Sequence, residues 1–400
     1  MIRKLAISVT ALAATAGVPA VAQGIDVKLG VLNDRSGTYA DLAGEGSVVA
    51  TRMAVEDFGA ADKGLNVEIV SADHQNKPDV GSNVAREWFE ADGVDAIVDV
   101  PTSSVALAVA DITADNNGVF LISGAGSTNL TREQCQPTTV HWTYDTAALA
   151  NGTGGAVTRA GGEKWFFLTA DYAFGHSLEE NTMEVVRENG GEVVGSVRHP
   201  FPSQDFSSYL LQAQGSGADV IGLANAGSDT VNAIKQASEF GITQAGQSLA
   251  ALLMFVTDVH SLGADTAQGL QLTEAFYWDQ NDATREWSAR FEAEMGAKPT
   301  MVHVGSYSAT MAYLEAVEAV GSAEDGAAVV AKMRELEIDD PFFGKVEIRG
   351  DGRAIHDMYL FEVKTPDQSE GEWDLYNQIA TISGEDAFLP MLEECDFSKQ

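Results

Sequence analysis

The sequence predicts an α/β protein built from two successive parallel-sheet units, giving two lobes. Three observations carry this reading. Short, continuous apolar runs alternate with longer amphipathic ones. The alternation begins near residue 27 and begins again near residue 164. A chain of 400 residues with 45% hydrophobic content is large enough for two cores rather than one. Apolar strands without polar alternation, separated by helices, are buried on both faces, as in parallel sheets.

In the first unit, residues 27–33 read as a strand. Residues 43–58 read as a helix with Val48, Val49, Met53 and Val55 on its inner side. A second strand at 66–71 and a second helix at 80–90 follow. Two further β-type runs, 94–100 and 119–123, flank a helical stretch at 104–116. In the second unit, KWFFLT at 164–169 is a strand and 177–188 a helix ended by Gly190 and Gly191. Strands at 192–197 and 220–224 enclose a helix at 206–214, and a helix at 230–240 stops at Gly241. Residues 249–256 and 270–276 read as strands, followed by helices at 284–295, 302–320 and 327–336. The end reads as strands at 343–348 and 358–364 joined by the turn Gly350-Asp351-Gly352. No Pro- or Ser-rich linker divides the units, so short ordered crossovers should join them.

Arg3 and Lys4 precede an apolar run at 5–18, and Ala20-Val21-Ala22 forms an A-x-A cleavage signal before Gln23. Residues 1–22 therefore read as a signal peptide, with an apolar run too short to span a bilayer. The expected product is exported and soluble. A net charge of −35 repels phosphates and excludes nucleic acid and anionic membranes as partners. In an oxidising compartment the two cysteines, Cys135 and Cys395, are expected to form one disulfide tying the C-terminal tail to the loop after Thr131; two unrelated thiols are the alternative.

Ligands of open parallel sheets gather beyond the carboxyl ends of the strands. Those ends are small, polar and hydroxyl-rich here: 34–39 with Tyr39, 101–104 with Ser103 and Ser104, 123–128 with Ser123, Ala125 and Ser127, 169–172 with Tyr172, 225–229 with Asn225, and Thr257-Asp258. Hydroxyls and unpaired N–H groups at a helix start suit a carboxylate, although a Ser at that place also simply caps the helix. Aromatic residues at strand ends or crossovers, among them Tyr144, Phe174, Phe276, Tyr277, Trp142 and Trp278, offer apolar pocket walls. Trp142 and Trp278 suit packing between lobes equally well.

Catalytic signatures are missing: no Gly-x-Ser-x-Gly elbow, no phosphate loop and no His-Glu-x-x-His zinc site occurs. The seven histidines are scattered without metal-ligand spacing and read as surface or satisfied structural residues. The paired acids Glu179-Glu180 and Glu393-Glu394 read as solvated faces. The chain thus reads as a binding protein rather than an enzyme, with no metal or cofactor expected.

Five motifs in order carry a resemblance: KLGVLNDRSG at 28–37, VDAIV at 94–98, DYAFG at 171–175, DFSSY at 205–209, and 302–312 centred on Gly305-Ser306-Tyr307. With these the chain resembles the periplasmic solute-binding proteins of ABC importers, and within them the type I, branched-chain amino acid receptor family. The resemblance implies the type I two-lobed fold with three crossovers, near Thr143, Trp278 and Phe343. The first lobe is then 23–143 with 278–343, and the second 144–277 with 344–400. It also implies a periplasmic monomer that traps a small carboxylate between closing lobes and delivers it to an inner-membrane permease. By position, Ser103 and Ser104 match the hydroxyl site for the ligand carboxylate, 123–127 the adjacent loop, Tyr172 a second-lobe aromatic, and Asp258 the neighbourhood of an acid for an ammonium group. HWTYD at 141–145 and KWFFL at 164–168 resemble a subgroup associated with aromatic and other small carboxylates, and the α-amine stays open; Asp258 suits a helix N-cap as well. A soluble receptor feeding a signalling partner and an exported hydrolase are the competing readings.

Overall fold

The computed structural model describes residues 24–399; the signal-peptide reading of residues 1–22 lies outside them. The first sheet contains β1 (Ile25–Asn33), β2 (Leu65–Asp73), β3 (Ala96–Asp99), β4 (Val119–Ile122) and β5 (Thr139–His141), all parallel, in the order β2-β1-β3-β4-β5. Side chains on a strand alternate between faces, and this divides the core. Leu29, Val31, Val98 and Leu121 pack on one face with Ala50 and Met53 of helix α1 (Gly44–Phe58). Leu32, Ile97, Phe120 and Ile122 pack on the other with Ala85 of α2 (Pro78–Glu87) and Val105, Ala106 and Val109 of α3 (Ser103–Asp115). Val48 and Val55 of α1 are only partly buried.

A helical stretch leads onward, α4 (Thr146–Leu149) and α5 (Gly155–Arg159) joined through a π-turn at 150–154. The second sheet has β6 (Lys164–Ala170), β7 (Glu192–His199), β8 (Val220–Ala224) and β9 (Ser248–Ala251), again all parallel, in the order β7-β6-β8-β9. Its faces are covered by α6 (Ala173–Glu188) on one side and by α7 (Ser207–Gly215) and α8 (Ser228–Glu239) on the other. The short helices α9 (Val256–Leu262) and α10 (Ala264–Ala267) and strand β10 (Gln271–Glu274) follow. The chain then returns to the first sheet with α11 (Asp282–Met295), α12 (Met301–Val320) and α13 (Gly326–Glu335), α12 packing on α1 and over β3 and β4. Strands β11 (Ile338–Asp340), β12 (Gly344–Ile348) and β13 (Ala354–Ile355) make a small antiparallel sheet. Strands β14 (Met358–Val363) and β15 (Tyr376–Ile382) pair with β10, and α14 (Gly384–Ala387) precedes the tail. Among the described residues no helix is long and apolar enough to cross a membrane.

The doubled α/β pattern is therefore what the chain forms, with local corrections. The apolar run 249–256 is a strand only to Ala251; Val256 opens α9, whose start is fixed by the Asp258 carboxylate accepting the Phe255 N–H at 3.0 Å. Helix α6 starts at Ala173 rather than Ser177. The turn at 350–352 joins β12 to β13, not to β14. Glu179 faces inward at 6% exposure, 3.8 Å from Arg198, whereas Glu180 is exposed. Five histidines, His74, His141, His199, His303 and His356, are buried and held by the fold rather than lying on the surface.

Cys135 and Cys395 are bonded. The tail they anchor also donates Phe397 N–H to Gly350 O and accepts Arg132 at Pro390 O. Nearby, Arg353 is fully buried and donates to the carbonyls of Trp142, Tyr144 and Ala354 while lying over the Phe388 ring at 4.3 Å. Replacing Cys395→Ser should lower stability by about 2–4 kcal/mol, read by urea unfolding, and should release the last ten or so residues to limited proteolysis. Arg353→Leu leaves buried carbonyls without donors and should cost about 3 kcal/mol or more; a change under 1 kcal/mol in the same unfolding experiment would show the clamp to be dispensable.

Candidate functional site

The strand order 2-1-3-4-5 reverses direction between β1 and β3, and the second sheet reverses in the same way between β6 and β8. At such a switch point adjacent connections run to opposite faces of the sheet, and the loops splay apart to leave a crevice beyond the strand ends. The two crevices face each other. Between them lies a small cavity of about 10 Å³ lined by Tyr39, Leu42, Pro101, Gly124, Tyr144, Tyr172, Phe174, Ala226 and Leu253. Every one of these follows the carboxyl end of a strand: β1 supplies Tyr39 and Leu42, β3 Pro101, β4 Gly124, β5 Tyr144, β6 Tyr172 and Phe174, β8 Ala226, and β9 Leu253. A larger groove of about 780 Å³ exists beside β12 and α14, but it does not lie at the carboxyl ends of the two parallel sheets.

The first-lobe wall is held by hydrogen bonds that run away from the cavity. Asp99 and Val100, at the end of β3, both have positive φ, 81° and 56°. Non-glycine residues hold such values only where their surroundings over-determine them. Asn33 Nδ2 and Ser123 Oγ each donate to the Asp99 carboxylate at 3.1 Å, and burial pushes its pKa up to about 6. The turn so fixed presents Pro101 and, directly after it, the N-terminus of α3. No side chain caps that terminus, so its first N–H groups are available to an anion. Tyr144 donates its hydroxyl to Gly124 O at 2.5 Å, which sets its ring against the cavity. Gly124 leaves no room for more: a Cβ there would lie 2.7 Å from an Asp99 oxygen and from Pro101 Cβ.

Of the residues singled out from sequence, Tyr39, Tyr144, Tyr172 and Phe174 reach the cavity wall. Ser103 and Ser127 are buried beside it and tie the loops together, Ser103 Oγ accepting Ser127 N–H and Ser127 Oγ accepting Asn129 N–H. Ser104 is half-buried in the first turn of α3. The others turn elsewhere. The Ser123 hydroxyl bonds Asp99 and Ser306, inside the first lobe. Ala125 contributes its carbonyl to His141 Nε2 at 2.7 Å. Asn225 donates to His199 Nε2 and accepts from Thr230 Oγ1. Asp258, in the first turn of α9, accepts Phe255 N–H at the helix start, and Phe276 packs edge-on against Phe342 at 6.1 Å. Trp142 is completely buried. Leu42 and Leu253 carry no sequence signal, because an apolar residue just past a strand looks like more core.

Asp229 is a buried carboxylate near Tyr39 and Tyr172 with one unpartnered oxygen. Its Oδ1 accepts Ser203 N–H at 3.0 Å, while Oδ2 has no hydrogen-bond partner among the described residues. His199 Nδ1, 3.9 Å away, is committed to Pro200 O, and burial lowers the pKa of that imidazole. Burial also raises Asp229 to about 7. A carboxyl whose folded pKa lies above its unfolded value costs nothing below about pH 4 and destabilises progressively as pH rises through 7. Asp229→Asn should therefore match the parent in urea unfolding at pH 4 and exceed it by about 1–3 kcal/mol at pH 8; a pH-independent difference would place the charge in solvent.

Comparison with known proteins gives one consistent answer. Residues 26–371 match the family model described as periplasmic binding protein. A periplasmic binding protein from Burkholderia mallei is 50% identical, with a TM-score of 0.89, covering 93% of this chain and 98% of that one. A branched chain amino acid ABC transporter periplasmic ligand-binding protein from Burkholderia xenovorans is 40% identical, with a TM-score of 0.80 and coverage of 91% and 97%. The Leu/Ile/Val-binding protein homolog 6 of Brucella melitensis is 26% identical over 370 residues, 90% of this chain and 93% of its own length. With two sheets of the switch-point kind, a cavity between them and a family match over most of its length, the chain belongs to the periplasmic binding proteins, the ligand-binding components of ABC transporters.

Proposed function

We propose that this protein captures a small organic carboxylate lacking an α-ammonium group between its lobes, in the periplasm, and presents it to a membrane permease. The single observation that carries the reading is the composition of the cavity wall. Four aromatic rings, Leu42, Pro101, Ala226 and Leu253 surround it, and none of the lining residues is a carboxylate or a cation.

An amino acid needs an acidic partner for its ammonium group, since burying an unpaired charge is costly. The nearest sequence candidate, Asp258, is bound to Phe255 N–H and raised by burial to about 7. A carboxylate alone needs only donors. The uncapped N-terminus of α3, next to Pro101, offers N–H groups and a favourable dipole without a counter-ion. The tyrosine hydroxyls of residues 39, 144 and 172 are held protonated, burial being the largest cause of their raised pKa values, so they stay neutral across the physiological range. The space enclosed is about 10 Å³, room for no more than one water, so a ligand enters only as the lobes part.

The test is a matched panel in thermal-shift and calorimetric titration: benzoate and 4-methylpentanoate against phenylalanine and leucine. A ligand bound only by the folded protein raises the melting temperature. The acids without ammonium should do so, with at least tenfold tighter binding than their amino counterparts. Tighter binding of leucine than of 4-methylpentanoate would overturn the assignment of ligand class.

A further inference from the structure

At the edge of the cavity, whose wall includes Tyr39 and Tyr172, residues 38–39 of the first lobe are seated in a socket on the second. Tyr39 packs against Phe201, ring centroids 5.3 Å apart, and Phe201 stacks on Tyr172 at 4.3 Å and 18°. The Tyr39 and Tyr172 hydroxyls are hydrogen-bonded to each other. Behind Tyr39, Ser228 N–H donates to Thr38 O at 3.3 Å. The floor of the socket is Gly227, at φ +58°. A Cβ on that residue would lie 2.4 Å from Thr38 O and 3.1 Å from Tyr39 Cδ1. The socket thus comes from three second-lobe connections, those after β6, β7 and β8.

The inserted segment is stiff. The buried Asp34 carboxylate accepts Gly37 N–H at 2.8 Å, Tyr39 N–H at 2.9 Å and Asn76 Nδ2 at 2.5 Å. Asn76 Oδ1 in turn accepts the hydroxyl of Thr102, the residue before α3. One hydrogen-bonded chain therefore links the start of α3, where the proposed carboxylate would sit, to the backbone of Tyr39.

We propose that Thr38 and Tyr39 form a closure latch, with Phe201 and Gly227 as its positioning residues. The latch sets how long the lobes stay shut, and its Tyr39 also forms part of the cavity wall. The inference rests on the capture reading for its purpose, but its geometry does not depend on which solute is captured. Phe201 contributes by aromatic stacking, worth a few-fold in an equilibrium to about tenfold. Gly227 contributes by having no side chain and by accepting a positive φ that costs other residues.

The test uses the Thr38→Cys/Ser228→Cys double variant with nothing added, Cys135 and Cys395 being already paired, and a short bifunctional thiol reagent that traps closed molecules irreversibly. Cross-linking should proceed, should slow about threefold or more with Phe201→Ala added, and should slow further with Gly227→Val. Melting of the unlinked Phe201→Ala protein should stay within about 2 °C of its parent, separating a latch from a purely structural role. Failure of the pair to cross-link, or an unchanged rate in both added variants, would overturn the latch. These outcomes are independent of the carboxylate panel: a latch that works in a protein indifferent to every acid tested would leave the closure device standing and remove the ligand class.

Discussion

A buried positive charge organises the centre of this molecule. Arg353 is fully out of solvent, and burial lowers its pKa to about 10, leaving it charged at neutral pH. An ion in such a place is tolerated only if nearly all its donors are used. Its guanidinium therefore takes the carbonyls of Trp142 and Tyr144, with Asp145 adding a favourable charge nearby and Phe388 covering one face. His356 Nε2 lies 3.0 Å from the same Trp142 carbonyl. The segment leaving β5 is thus gripped by the segment around β13 and by the C-terminal tail. Tyr144, whose backbone is held in this grip, is also the residue whose ring faces the cavity. The support of the crossover and one wall of the site are therefore the same few residues.

Sheet topology does most of the rest. A parallel sheet sends all its strands in one direction, so all its strand-end loops emerge on one side. Two such sheets facing each other at their carboxyl ends concentrate seven connections around one small space. Chemistry need not be brought there by long excursions of the chain; single residues just past each strand suffice. The order 2-1-3-4-5 opens the crevice at β1 and β3, and the positive φ values at Asp99 and Val100 mark where the backbone turns sharply to aim the next residues inward.

The interior holds several acids whose charged forms burial disfavours: Asp99, Asp229, Asp258 and Glu274, the last accepting the Tyr376 hydroxyl. Asp99 and Asp258 each fix a turn beside the cavity by accepting specific N–H or O–H groups. They act on the site by shaping it. Asp258, which the sequence offers either as a ligand partner or as a helix cap, braces the start of α9, since an acid at a helix start finds near donors in its own backbone.

What the sequence by itself determined was the kind of protein. The apolar strands at 27–33, 119–122 and 164–169 and the helices between them specify two parallel sheets, because continuous hydrophobic runs have to be covered on both faces. Short or glycine-rich elements escaped: β5 has three residues, and the helical stretch from Thr146 to Arg159 contains three glycines and little amphipathic pattern. The loops that line the cavity were legible as a set, because polar, hydroxyl-rich strand ends are a local property of sequence. Which way each side chain in them points was not. Ser123 and Asn225 turn into their own lobes, while Leu42 and Leu253, chemically silent in sequence, turn toward the cavity. Orientation depends on partners dozens to hundreds of residues away, such as Ser306 for Ser123 and Phe201 for Tyr39. Only the folded chain brings those partners together.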